Sequence, residues 1–344
     1  MSNDIQSLLQ AYYERSFPTK EGVQVRNLVN ITGGWVFRIY AFDVEYGPTE
    51  ESQRERLILR ICPADDARAA LAHEFHSLRQ LSDVGYPVPR ALVLETDDSL
   101  FGQPFIIMER IEGQNLWSLL FDSPEERQQE LLSLFCDLLI RLHELDWRPF
   151  VEDTTHYETG DPYIIVDQWL RGARDLLEKS DKPDFLPIVN WLEERRDDVP
   201  CPQLSVIHLD FHPDNVLLRP DGSAVVIDWT SLDIGDPRLD LSKTLCMMDF
   251  YRSAAWRTRT LQEYERQAGN KVEQIEWFDV AAYTGRLFQA VSLLSGEREK
   301  MELLPDVETE IKQEMGAVRR IYNRLLNKTS VRITEVEQLL TTFS

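Results

Sequence analysis

The stretch Val206-Ile207-His208-Leu209-Asp210-Phe211-His212-Pro213-Asp214-Asn215-Val216-Leu217-Leu218, followed by Ala224-Val225-Val226-Ile227-Asp228-Trp229, decides how this chain is read. Its apolar runs are short and rich in Val and Ile, so it reads as strand, polar loop, strand, Asp221-Gly222 turn and strand. Asp210, Asn215 and Asp228 all stand at polar ends of apolar runs. With average residue usage, His-x-Asp-x-x-x-x-Asn arises by chance in about one chain of this length in a hundred. The flanking strands make a chance origin rarer still.

That spacing is the spacing of a kinase catalytic loop, in which the Asp accepts the proton of a substrate hydroxyl and the Asn binds magnesium. Asp228 falls where a second metal-binding Asp belongs, and the Asp-Gly turn returns its strand beside that of Asn215. Taken singly, a helix cap explains Asp210, a turn explains Asn215 and a strand-end turn explains Asp228. Their joint occurrence favours phosphoryl transfer.

Toward the N-terminus, Ile5, Leu8, Leu9, Tyr12 and Tyr13 predict a helix over residues 2–17. Val23–Val29 and Val36–Val44 alternate as strands around Gly33-Gly34. Such a glycine pair lets backbone amides approach nucleotide phosphates, or simply closes a hairpin. The next strand, Arg56 to Cys62, carries Arg60 where kinases place a phosphate-holding lysine, although a solvated Arg has the same pattern. In the helix expected over Ala67–Leu81, Glu74 borders the stripe Leu71, Phe75 and Leu78, placed either to pair with Arg60 or to sit at the surface. Ala91–Glu95 and Pro104–Met108 complete a five-stranded sheet. The last strand passes into Glu109-Arg110-Ile111-Glu112-Gly113, an extended hinge in which chain order makes Met108, Glu109 and Ile111 candidates for adenine.

From Leu116 the pattern turns helical. A helix beginning at Pro124 runs to His143, which borders its apolar face as a core or cap histidine. Further helices are predicted over 163–178, 185–196, 240–252, 258–267, 275–294 and 306–326, with Asp233–Asp240 opening one of them. The expected fold class is α+β and bilobal: an N-terminal lobe of antiparallel sheet with a helix over 1–108, a hinge over 109–115, and a larger, mainly helical lobe over 116–344 carrying the catalytic loop and acceptor site.

At 344 residues the chain exceeds the usual size of one hydrophobic core, which agrees with two lobes. A net charge of −22 argues against nucleic acid or an anionic membrane as partner and permits a cationic one. Cys62, Cys136, Cys201 and Cys246 are far apart and read as reduced thiols. No leader-like segment opens the sequence and no apolar run approaches eighteen residues. A cytoplasmic monomer or homodimer is expected.

The chain resembles the aminoglycoside phosphotransferase and choline kinase-like family. The resemblance covers about residues 25–250 through Gly33-Gly34, Leu57-Ile-Leu-Arg60, His73-Glu74, Gly85-Tyr-Pro-Val-Pro89, Phe105 to Gly113, Leu142-His143, His208 to Asn215, Asp228-Trp229 and Gly235-Asp-Pro-Arg-Leu-Asp240. It implies a protein-kinase-like fold, ATP or GTP with Mg2+, and phosphorylation of a small-molecule hydroxyl. On that reading Asp210 is the base, Asn215 and Asp228 hold the metal, and Gly33, Gly34, Arg60, Glu74, Met108, Glu109 and Ile111 serve the nucleotide. Two departures stand out: Leu209 where the family usually has Gly, and Arg60 in place of the commoner Lys. The family places acceptor recognition in the C-terminal helices, which here carry Asp161, Asp233, Asp236, Trp277, Tyr283, Arg286 and Glu297. Their acids suit a polyamine and their aromatics a quaternary amine or macrolide ring. Other readings are a choline, amino-alcohol or sugar kinase, a peptide kinase, for which the short span after Asp228 leaves little platform, and a nucleotide-binding pseudokinase without turnover.

Overall fold

The computed structural model describes residues 2–31, 38–48, 52–61, 67–96, 100–294 and 313–343. Contacts divide these into two units, one holding 2–114 and 217–230, the other 115–216, 231–294 and 313–343.

In the first unit, helix α1 (Ser2–Ser16) is followed by β1 (Gln24–Ile31), β2 (Arg38–Tyr46), β3 (Gln53–Ile61), α2 (Ala67–Asp83), β4 (Ala91–Glu95) and β5 (Phe105–Glu109). The strands form one antiparallel sheet in the order β1-β2-β3-β5-β4. Alternation along β3 sends Leu57, Leu59 and Ile61 to one face, where they are buried with Leu9, Tyr12 and Tyr13 of α1 and with Phe105 and Ile107. Arg60 therefore takes the opposite face, in register with Ile106. The Gln10 amide locks α1 to the sheet edge, donating to Val23 O at 2.6 Å and accepting from Val25 N at 2.7 Å. After β5 the chain runs so close to the hairpin at Leu218 that a Cβ on Gly113 would lie 2.8 Å from the Leu218 carbonyl oxygen. Only glycine permits that approach. The hairpin turns through Asp221-Gly222, with Arg219 N bonded to Ser223 O at 2.8 Å and Gly222 at φ 86°.

The second unit is helical: α3 (Leu116–Asp122), α4 (Glu125–His143), α5 (Ile164–Glu178), α6 (Leu186–Glu193), α7 (Pro237–Tyr251), α8 (Ala254–Ala268), α9 (Ile275–Leu294), α10 (Met315–Thr329) and α11 (Thr334–Thr342). Asn115 caps α3 by accepting from Trp117 N at 2.8 Å. Helix α7 packs against α8, α9 and α10, and its residues Leu241, Leu245 and Met248 are fully buried.

Two features differ from the sequence expectation. Asp233–Gly235 does not open a helix but forms a strand antiparallel to Ser205–Ile207. Pro237 disfavours helical geometry in the residue before it, so α7 starts only at Pro237, capped by Asp236, which accepts from Arg238 N at 2.9 Å. Helix α11 was not foreseen, and α10 extends past 326 to Thr329. Among the described residues, no helix is long and apolar enough to cross a membrane.

Candidate active site

The candidate catalytic loop, His208 to Asn215, belongs to the second unit and is held by Asp240, which is 0% exposed. Its carboxylate accepts the backbone N–H of His208 at 2.8 Å and of Leu209 at 2.7 Å. It also lies 3.2 Å from His143 Nε2, while His143 Nδ1 meets the Tyr264 hydroxyl at 2.9 Å. Burial pushes the Asp240 carboxyl up, but the His143 bond and the His143 and His208 charges outweigh it and hold the carboxyl below its ordinary range. His143 is thus a satisfied buried histidine, as its place on α4 indicated. Leu209 has φ 64°, a left-handed conformation costing a non-glycine residue about 1–2 kcal/mol. The two bonds to a buried carboxylate offset that cost and fix the direction of the next residue, Asp210.

Asp210 is half-exposed. Asn215 Nδ2 donates to its backbone carbonyl at 3.0 Å and lies 3.4 Å from its Oδ2, and His212 Nε2 stands 3.5 Å from the same oxygen. Desolvation pushes the Asp210 carboxyl up, yet the His212 bond and the charges of His212, His208 and Lys243 carry it below the usual carboxylate range. The loop is further tied by Thr244, whose hydroxyl donates to Phe211 O at 2.7 Å. Sequence reasoning overlooked Lys243, whose ammonium is pushed down by burial against the pull of Asp240 and Asp210. It stands three residues after Asp240 on α7, a spacing that faces both residues to one side of a helix.

The first unit gathers Arg60, Glu74 and Asp228. Glu74, 1% exposed, forms an ion pair with the Arg60 guanidinium, whose two terminal nitrogens also stand 3.5 Å from Asp228 Oδ1. Burial pushes the Glu74 carboxyl up to about 7 against the pull of Arg60. Its Oε2 has no hydrogen-bond partner. Asp228 has φ 65° and accepts from Thr230 Oγ1 at 3.1 Å, and its carboxylate remains 40% exposed. Next to it Trp229 is fully buried, donating Nε1–H to Val226 O at 2.9 Å and meeting Tyr86 edge-on.

Of the other nucleotide candidates, Gly33 and Gly34 lie outside the described residues. Met108 is buried on the Arg60 face of the sheet. The Glu109 amide donates to Arg90 O at 2.9 Å, which takes it away from an adenine edge, and its carboxylate engages Arg90 and Arg219. Ile111 is partly exposed beyond the strand end.

Asn215 and Asp228, each in its own unit, offer oxygen atoms of the kind a hard cation takes. Asn215 turns its Nδ2 toward Asp210, which directs Oδ1 elsewhere, and the exposed Asp228 carboxylate supplies anionic oxygen. Among the described residues no cluster of three or more His, Cys, Asp or Glu forms a metal site. A magnesium ion held by one or two side chains plus substrate phosphates does not require one.

The residues suggested for acceptor recognition do not converge. Asp236 is a buried helix cap paired with Arg238, Trp277 donates Nε1–H to Leu192 O at 3.0 Å, and Tyr283 is buried. Arg286 stacks on Phe250 and Tyr251, Asp161 accepts from Tyr163 N, and Glu297 lies outside the described residues. Asp233 lines a cavity of 370 Å³ that reaches Ile207 and Leu209.

The model of the phosphotransferase enzyme family (APH) matches residues 27–278, and the chain belongs to that family. Among solved structures, LicA in complex with AMP aligns over 94% of this chain and 99% of its own, with TM-score 0.59 and 15% identity. A thermostable variant of aminoglycoside phosphotransferase APH(4)-Ia in ternary complex with ADP and hygromycin B aligns over 90% and 98%, with TM-score 0.54 and 17% identity. These likenesses establish the α+β, protein-kinase-like fold. Two curated relatives are acyl-CoA dehydrogenase family member 10 of Mus musculus, 28% identical over 54% of this chain, and family member 11 of Gallus gallus, 28% identical over 49%. The chain spans only 18% and 22% of their lengths.

Proposed function

We propose that the chain transfers the γ-phosphoryl group of ATP or GTP to the hydroxyl of a small molecule, with Asp210 as base. The carrying observation is the catalytic loop itself: a half-exposed carboxylate, kept ionised by His212, His208 and Lys243, on a backbone that buried Asp240 holds in place. Asp210 orients the acceptor hydroxyl and takes its proton as the oxygen bonds to the γ-phosphorus. The bond to the β-phosphate oxygen breaks and its electrons leave with the nucleoside diphosphate. Asn215 and Asp228 would hold Mg2+, which when bound neutralises charge on the phosphate oxygens. Arg60, kept in position by Glu74, would hold phosphate, and Met108 with the backbone at Glu109 and Ile111 would border the base. A cytoplasmic setting agrees with the free thiols of Cys136, Cys201 and Cys246.

The relatives' ligands motivate the assay: ADP and hygromycin B in one, AMP in another. Purified protein is assayed with ATP and with GTP against aminoglycosides, macrolides, choline, amino-alcohols, sugars and apolar alcohols. Acceptor-dependent nucleotide consumption is expected in the wild type and its loss in Asp210→Ala. Nucleotide binding without turnover across the panel would favour a pseudokinase instead.

A further inference from the structure

The 370 Å³ cavity of the second unit lies at the small end of the usual range for ligand pockets, about 300–1,000 Å³. Its wall is drawn from α5, α6, α9, the Asp233–Gly235 strand and the catalytic segment, and it is apolar almost throughout, with Trp169, Leu176, Leu192, Leu209 and Phe288 among its members. Leu176, on this wall, is 56% exposed. The polar side chains of the lining are Gln168, Asp233 and Thr284. Each already has a partner: Gln168 Oε1 meets His156 Nε2 at 3.0 Å, Asp233 accepts from Ile234 N at 2.8 Å, and Thr284 donates to Val280 O at 2.6 Å.

Resting on the kinase reading of Asp210, we infer that this cavity is the acceptor pocket and that it selects an alcohol with a compact apolar body, Leu209 being a specificity-determining residue. Leu209 joins the cavity to the reacting end of the loop, since it lines the wall and immediately precedes Asp210. Its position argues the same way. The backbone there is left-handed, a conformation glycine adopts freely and leucine does not, so the side chain is retained at a cost to the fold. A polycationic acceptor would have to bring several ammonium groups against apolar walls with a single carboxylate, Asp233, to receive them. An apolar body loses no such hydration.

The test uses the full chain with 4-phenylbutan-1-ol as apolar probe, and kanamycin and choline as cationic ones. Turnover is followed by nucleotide consumption, and binding to nucleotide-loaded protein by calorimetry. The expected kcat/KM is at least about tenfold higher for the apolar alcohol. Leu209→Gly, which relieves backbone strain and so keeps the fold, is expected to lower it about 10–100-fold, chiefly through KM. Phe288→Asp, on the α9 wall of the same cavity, should lower it in the same direction. Preference for kanamycin or choline, or a preference that Leu209→Gly leaves unmoved, overturns the inference while leaving the kinase intact. Binding of 4-phenylbutan-1-ol, weakened by Leu209→Gly but without turnover, upholds the pocket and sinks the kinase reading. Neither binding nor turnover of that alcohol sinks the inference.

Discussion

Each unit holds a candidate-site residue in a left-handed conformation, Leu209 at φ 64° in the second and Asp228 at φ 65° in the first, but the two are stabilised differently. In the second unit the strain is set against two backbone N–H groups bonded to one buried carboxylate, Asp240. In the first, Asp228 is gripped loosely, by Thr230 and by Arg60 at 3.5 Å, while Arg60 is held more closely by Glu74. On the proposed reading the helical unit presents a preset base, whereas the sheet unit presents charges whose balance a phosphate or a cation can change. A site that must position one proton acceptor benefits from rigidity, and one that must receive a highly charged co-substrate benefits from adjustable partners.

The sharpest way to break this comparison is Asp240→Ala. It removes the acceptor of two buried amides and the partner of His143, so unfolding stability should fall by about 3–5 kcal/mol in chemical denaturation, together with activity. A variant as stable and active as the wild type would show that Leu209 needs no such support.

In the first unit the expected effect is smaller and depends on pH. The folded Glu74 carboxyl titrates near 7 against an ordinary 4.5, so the folded state binds the proton more tightly than the unfolded chain. Its contribution to stability is present below pH 4.5 and is lost as pH rises toward 7. Glu74→Gln should flatten that fall when denaturation is followed from pH 4.5 to 7.5. An unchanged slope would place the coupling elsewhere.

Lys243→Met should have the mildest effect. Removing this cation takes away one of the charges that lower the Asp210 carboxyl, so the acidic limb of kcat/KM against pH should move to higher pH, with the alkaline limb unmoved. A limb that stays put would remove Lys243 from the electrostatics of the base.

What could be read without coordinates follows the same division. The loop of Asp210 and Asn215, the strand of Arg60 and the Glu74 helix are written in local spacing, because strand alternation and helical periodicity fix which side chains share a face. The pairing of Arg60 with Glu74 follows from two such local readings. Asp233–Gly235 was misread because its ladder partner, Ser205–Ile207, lies about thirty residues earlier and nothing local announces it. The apolar cavity was invisible for a related reason: its wall comes from separate stretches near 165–177, 189–192, 207–209, 233–239 and 281–288, each of which reads as ordinary core. Leu209 was visible as a departure from the family pattern, but its left-handed backbone and its place on the cavity wall depend on tertiary contacts. Lys243 was legible in principle from its spacing to Asp240, but an isolated lysine on an amphipathic helix gives no cue that burial will lower its ammonium.

The central claim, that Asp210 takes the hydroxyl proton during phosphoryl transfer, is tested most directly by single-turnover transfer of γ-labelled phosphate from nucleotide to an accepted alcohol, comparing wild type with Asp210→Asn at equal nucleotide occupancy. The account predicts labelled phosphoester product in the wild type and a rate about 10²–10⁴-fold lower in the variant, with nucleotide affinity nearly unchanged. Transfer at the wild-type rate in Asp210→Asn would contradict it.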